Sequence, residues 1–141
     1  EADRVARQAE IFEPYHAAIA RELDRRSTDG ENTVLVSLHS FTPEMDGRKR
    51  PWEIGILHDG RRDRFARTVL GELQRIGLTI GDNEPYRMDA TDYTVPRHAY
   101  PRELPYVEVE VRQDWLIEKF EDATDTLCDG LRAAALKGEP N

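Results

Sequence analysis

Cysteine is almost absent from this chain: Cys128 stands alone among 141 residues, so no internal disulfide can brace the fold. Its setting, DATDTLCDGL, reads as one turn of a helix, which favours a buried structural thiol over a nucleophile and a reducing cytoplasm over an oxidising compartment. Long apolar runs are missing too. None exceeds six residues, which excludes a membrane-spanning helix, and the opening EADRVARQAE lacks the basic-then-apolar plan of a signal peptide. Basic charge is in short supply, with 20 Lys and Arg against 28 Asp and Glu, a net charge of −8 and a pI near 5.0. A broad phosphate-binding surface needs clustered cations, so nucleic acid is not an expected partner, and neither is a membrane. What is present, 38% hydrophobic and 34% charged residues over one domain's length, is the balance of a globular protein.

Periodicity divides the chain into alternating helices and strands. Val5, Ala9, Phe12, Ile19 and Leu23 recur at three- and four-residue spacing and predict a helix over about residues 2 to 26, which Pro14 kinks or restarts. TVLVSLH is a short apolar run of the kind that sits in a sheet covered on both faces, and WEIGIL is a second strand. In RRDRFARTVLGELQRIG, Phe65, Val69, Leu70, Leu73 and Ile76 form one helical face, closed by Gly77 at a left-handed cap position. LTI reads as a brief strand and YVEVEVR as a strictly alternating one. The last helix, residues 114 to 136, is expected to bury Trp115, Leu116, Phe120, Leu127 and Leu131. Strand, helix, strand and helix in this order imply an α/β fold: a mostly parallel (mixed) sheet with helices on both faces. Ligands of such sheets bind beyond the strand ends, where two long irregular segments, residues 40 to 52 and 81 to 104, would wall a site.

Two features carry chemistry. In YVEVEVR the valines share one face, so Glu108, Glu110 and Arg112 share the other at intervals of about 6 to 7 Å. On a half-exposed edge strand those charges would simply be solvated; on a covered strand, which the flanking long loop and amphipathic helix suggest, they must pair or act, and a carboxylate there suits a general base. His39 closes TVLVSLH, and an imidazole at a strand end can ligate a divalent metal such as Zn²⁺ or simply hydrogen-bond as a structural residue. The residues alone leave both open, because His16, His58 and His98 do not stand at ligand spacing from it.

Five ordered blocks, SLHSFTP, GRKRPWEIGIL, GDNEPY, DYTVPRHA and VEVEVRQDWL, together with PYHAAI in the first helix, resemble the N-formylglutamate amidohydrolase family. Two of them also echo the zinc carboxypeptidases and aspartoacylases, so the resemblance implies a hydrolase-like, zinc-carboxypeptidase-like fold. It implies a zinc-dependent amidohydrolase acting on an N-acylated acidic amino acid such as N-formyl-L-glutamate. His39 then corresponds to a ligand of a single Zn²⁺ and Glu110 to the general base. Substrate carboxylates need forked cationic donors, which brings forward Arg50, Arg97 and Arg112; Asn83 and Tyr86 would bond substrate or oxyanion, or else stabilise their loop. Residues 1 to 141 match only the C-terminal portion of that domain. The remaining zinc ligands are accordingly expected in an N-terminal segment, and this portion is expected to associate with that segment or with itself. The competing expectation is a non-catalytic binding or assembly module that keeps the fold with an incomplete metal site.

Overall fold

The computed structural model describes residues 2–89 and 91–137. The strands, in chain order, are β1 (Leu35–Phe41), β2 (Glu44–Met45), β3 (Arg48–Lys49), β4 (Ile54–Leu57), β5 (Ile80–Asp82) and β6 (Tyr106–Arg112). β2 and β3 form a small hairpin, and the other four make one sheet in the order β1-β6-β4-β5. β1 is parallel to β6 and β4 to β5, but β4 runs antiparallel to β6. The sheet is therefore mixed as expected, with two parallel pairings joined by one antiparallel one. The connections explain this. A parallel return needs a crossover of helix length; β4 and β5 have one, whereas β1 reaches β4 through a loop holding only the small hairpin.

The helices are α1 (Ala2–Arg7), α2 (Glu13–Thr28), α3 (Arg64–Gln74), α4 (Thr94–His98), α5 (Gln113–Glu118) and α6 (Phe120–Lys137). None is long and apolar enough to cross a membrane among the described residues. A π-helical turn, Gln8–Phe12, joins α1 to α2 without a break in the helical backbone, and Pro14, which has no N–H to give, stands two residues beyond it. Against one sheet face, Phe65, Ala66, Val69, Leu70 and Leu73 of α3 pack on Ile54, Ile56, Val107, Val109 and Val111. α6 closes over α3 with Ala123, Leu127, Leu131 and Ala134 turned inward. On the opposite face Val95 and Ala99 pack around Tyr106 at the start of β6.

Several side chains lie elsewhere than their pattern suggests. β1 is an edge strand, not one covered on both faces: α3 and α6 lie over β4 and β6, and Leu38 is 65% exposed. Ile76 falls beyond the end of α3 and is exposed. The last helix breaks at Lys119, so Phe120 opens α6 facing solvent. Cys128 is exposed rather than buried, because it follows inward-facing Leu127 by one residue, about 100° around the helix.

A polar knot ties the loop after β4 to the start of β6. Asp59 accepts hydrogen bonds from the hydroxyls of Tyr100 (2.7 Å) and Tyr106 and from the N–H of Arg61 (2.8 Å). Burial alone would raise its pKa, but these donors hold it below the ordinary carboxylate value. Tyr106→Phe leaves the ring in place and removes one donor to a charged acceptor; urea unfolding should register a loss of about 1.5–3 kcal/mol.

Candidate active site

The face of β6 turned away from the α3 core carries Tyr106, Glu108, Glu110 and Arg112. Parallel register sets Ser37 beside Glu108 and His39 beside Glu110. On the other flank Gly55 lies beside Glu110, and Gly81 lies beside Gly55. With no side chains there, the loop after β5 drops onto the sheet: a Cβ on Gly55 would meet the Glu84 carbonyl oxygen at 2.1 Å, and one on Gly81 would meet it at 2.6 Å. Asn83 anchors this loop. It holds φ at +54°, its N–H donates to the Ile56 carbonyl (2.9 Å), and its Oδ1 accepts from the His58 N–H (2.9 Å). The glycine pair thus brings GDNEPY alongside the buried glutamates.

Glu108 and Glu110 are each only 6% exposed. Glu110 Oε2 is buried with no hydrogen-bond partner among the described residues. Burial pushes the Glu110 carboxyl up, His39 and Arg50 pull it down, and Glu108 adds to the rise; the net direction is upward. Burial and then the charge of Asp92 push Glu108 up to about 7, opposed by a hydrogen bond from Ser37. His39 is half-exposed, its Nε2 2.9 Å from Ser37 Oγ and 4.0 Å from Glu108 Oε2. Two carboxyl groups driven towards neutrality by burial and by a neighbouring carboxylate, Asp92 for Glu108 and Glu108 for Glu110, stand beside an imidazole and form a place where a cation would be favoured. Among the described residues no group of three or more His, Cys, Asp and Glu side chains converges to hold a metal.

The three arginines have separate placements. Arg50 is at the site: its Nη1 donates to the Tyr86 hydroxyl (3.1 Å), its guanidinium lies over the Phe41 and Tyr86 rings, and its charge reaches Glu110. Arg112 is occupied otherwise. Its Nη1 donates to the carbonyls of Arg50, Pro51 and Trp52 at 3.1–3.3 Å and its Nε to Asp114 at 2.7 Å, so it braces the segment entering β4. Arg97, on α4, bonds the Tyr93 hydroxyl and faces Glu13 at 3.6 Å, at the junction with the N-terminal helices. Ser37 and Asp92 were not anticipated from the sequence. Ser37 was within reach of it, since it precedes His39 by two residues on a strand and so shares its face.

A second histidine arrangement joins α2 to α4. His16 and His98, 82 positions apart, are buried and hydrogen-bonded Nδ1 to Nε2 at 2.9 Å, with Phe12, Tyr15 and Tyr93 around His16. Burial lowers both pKa values; Arg97 lowers both further, His16 and Arg102 add to the lowering at His98, and Glu13 opposes it at His16. For a base held below its ordinary value of 6.5, the unfolded chain binds protons first. Stability should therefore be complete above about pH 6.5 and fall as the pH drops through the lowered folded values. Urea midpoints measured from pH 8 to 5 should show this, with a flatter profile for His98→Gln.

A mixed sheet that presents an imidazole and a buried, unpaired carboxylate from adjacent strands, roofed by a polar loop, defines an α/β protein with its site on one sheet face. The chain belongs to the N-formylglutamate amidohydrolase family, whose model matches residues 1–117. It is similar to the crystal structure of a gene product of Agrobacterium tumefaciens, with 34% sequence identity and a TM-score of 0.87 over 97% of this chain and 55% of that one. It shares the fold of N-formylglutamate amidohydrolase from Ralstonia eutropha, with 18% identity and a TM-score of 0.59 over 96% of this chain and 52% of that one. The chain thus spans about half the length of these solved relatives. No curated protein matches it.

Proposed function

We propose that this chain forms the carboxylate-bearing part of a metal-dependent amidohydrolase that cleaves the formamide bond of an N-acylated amino acid such as N-formyl-L-glutamate. The observation that carries the reading is Glu110 Oε2, buried and unpaired beside the His39 imidazole. Family membership supports the amidohydrolase class. The donors here fit zinc in part: His39 supplies one imidazole in an electronegative surrounding, and a catalytic zinc takes three protein ligands, so the others would come from the portion of the longer protein that this chain does not span. When bound, zinc would polarise the scissile carbonyl and acidify water.

The chain's own residues do the rest. Glu110 accepts the proton of the attacking water on Oε2 and returns it to the leaving nitrogen as the C–N bond breaks, so formate and a free amino acid leave together. Arg50, held against Tyr86, supplies the fixed positive charge for a substrate carboxylate. Asn83 holds the roof that carries Tyr86. The open edge of β1 supports association with the remaining half of the domain. The test is formate release from N-formyl-L-glutamate by the full-length protein, with metal content measured on the same sample. Zinc near one ion per chain and formate release are the expected results. Absence of metal, together with no hydrolysis of any N-acyl amino acid, would replace this reading by that of a binding module.

A further inference from the structure

α2 is fastened to the rest of the molecule by very few buried side chains: of its 16 residues only His16 and Leu23 are buried. His16 meets His98, the last residue of α4, Nδ1 to Nε2 at 2.9 Å, with the two rings nearly parallel (17°) and their centroids 5.2 Å apart. The rings of Phe12, Tyr15 and Tyr93 enclose His16 at 4.4–5.2 Å, and the imidazoles are only 4% and 2% exposed. The charged groups stand at the rim of this box. Arg97 of α4 bonds the Tyr93 hydroxyl and faces Glu13 of α2 at 3.6 Å. Arg102, in the turn after α4, donates from Nη1 to the His98 carbonyl (3.3 Å) and from Nη2 to Asp24 of α2 (2.7 Å). Both ion pairs are partly exposed, and such pairs contribute at most about 1 kcal/mol, so the imidazole contact is the specific joint between the two helices.

A hydrogen bond between two imidazoles needs one donor nitrogen and one acceptor nitrogen, which a neutral pair supplies. A first added proton places a charge in the aromatic box beside two guanidinium groups. A second makes donors of both facing nitrogens, so the bond is lost and like charges confront each other. We propose that the His16–His98 pair is a pH-operated latch, which holds α4 to α2 while both imidazoles are neutral and releases it as they take up protons. The helix it holds lies over the face of the candidate site: Val95 of α4 packs on Tyr106, which shares its side of β6 with Glu108 and Glu110. Release on acidification would loosen one wall of that face. The latch needs neither the metal nor the hydrolysis proposed above. Its direction follows from the closed form, where burial first, then Arg97 at His16 and the partner imidazole and Arg102 at His98, hold both groups below their ordinary value of 6.5, against Glu13 at His16. The open form therefore binds protons first; closure is complete above about pH 6.5 and is lost as pH falls through the lowered values.

Amide hydrogen exchange of the full-length protein, corrected for the intrinsic pH dependence of exchange, reads the opening. One proton taken up on opening raises the opening constant by as much as about 10-fold between pH 7.5 and 5.5, and two protons by about 100-fold. Protection of amides in α2 and in residues 94 to 102 should fall by about 10- to 100-fold over that range, while protection in α3, which lies in the main core, should not follow. Replacing both imidazoles, by His16→Gln with His98→Gln, leaves side chains that can bond each other but take up no proton, and should abolish the difference between these helices and α3. Protection in α2 and α4 that falls no further than in α3, or a double variant that keeps the wild-type pH dependence, would overturn the latch. Should the double variant fail to fold, the wild-type comparison of α2 and α4 with α3 decides the matter alone.

Discussion

Glu110→Gln in the full-length protein is expected to lower kcat for formate release by about 10²- to 10⁴-fold, the usual contribution of a positioned general base. Glutamine fills nearly the same volume and remains buried, so substrate affinity and fold should be retained while the proton acceptor is lost. Stability should move the other way. A carboxyl whose folded pKa is raised contributes stability only while protonated: the contribution is complete below the unfolded value near 4.5 and lost as pH rises through the folded value. Above the folded value the wild-type fold therefore carries an ionised Glu110 at a cost that the amide avoids. Urea midpoints measured above that value should show the variant at least as stable as the wild type. The same shift predicts that the acid limb of the kcat/KM profile lies above the ordinary carboxylate range, since activity rises as Glu110 ionises. Full activity in Glu110→Gln would remove this residue from the role of base, whatever the fate of the family's chemistry.

Gly55→Ala is expected to destabilise the fold by about 3 kcal/mol or more, through one added methyl group. Its Cβ would meet the Glu84 carbonyl oxygen at 2.1 Å, the Glu84 carbonyl carbon at 3.1 Å and Pro85 Cδ at 3.2 Å. The obstacle is main chain, which has no rotamer to change. Relief requires lifting residues 83 to 86, at the expense of the two hydrogen bonds through which Asn83 anchors the loop. Overpacking costs roughly 1–3 kcal/mol and each lost hydrogen bond about 1 kcal/mol. Gly71→Ala is the internal control. It lies in α3 with nothing within 4 Å of an added Cβ, and replacing a helical glycine there should instead stabilise by about 0.5–1 kcal/mol. Denaturant midpoints that move in opposite directions for the two variants would confirm that contact, not glycine flexibility, governs Gly55.

The alternation in YVEVEVR was enough to place Glu108 and Glu110 on one face, but the same alternation suits a solvated edge strand, and only the flanking loop and helix pointed to the inner position that β6 holds. The helical face of residues 64 to 74 was equally plain, because Phe65, Val69, Leu70 and Leu73 repeat at the helix period. Direction was harder to read. Whether β4 runs with or against β6 depends on what crosses between strands, and the small hairpin in residues 42 to 53 leaves almost no periodic trace. Arg112 shows a second limit: a side chain's type announces what it can bind, while its partners, here three main-chain carbonyls, are set by a loop 60 residues away. The His16 and His98 pair joins positions 82 apart, which no local spacing rule can connect.

The edge position of β1 has a geometric corollary. His39 stands on the outermost strand, so the free side of its backbone faces the place where the next strand of a longer sheet would add. A strand pairing there would run about 4.8 Å from the His39 backbone, with alternate side chains on the face that carries the imidazole. Donors for a shared metal would then need to travel only one inter-strand spacing, and assembly of the sheet and assembly of the ligand set would become a single event.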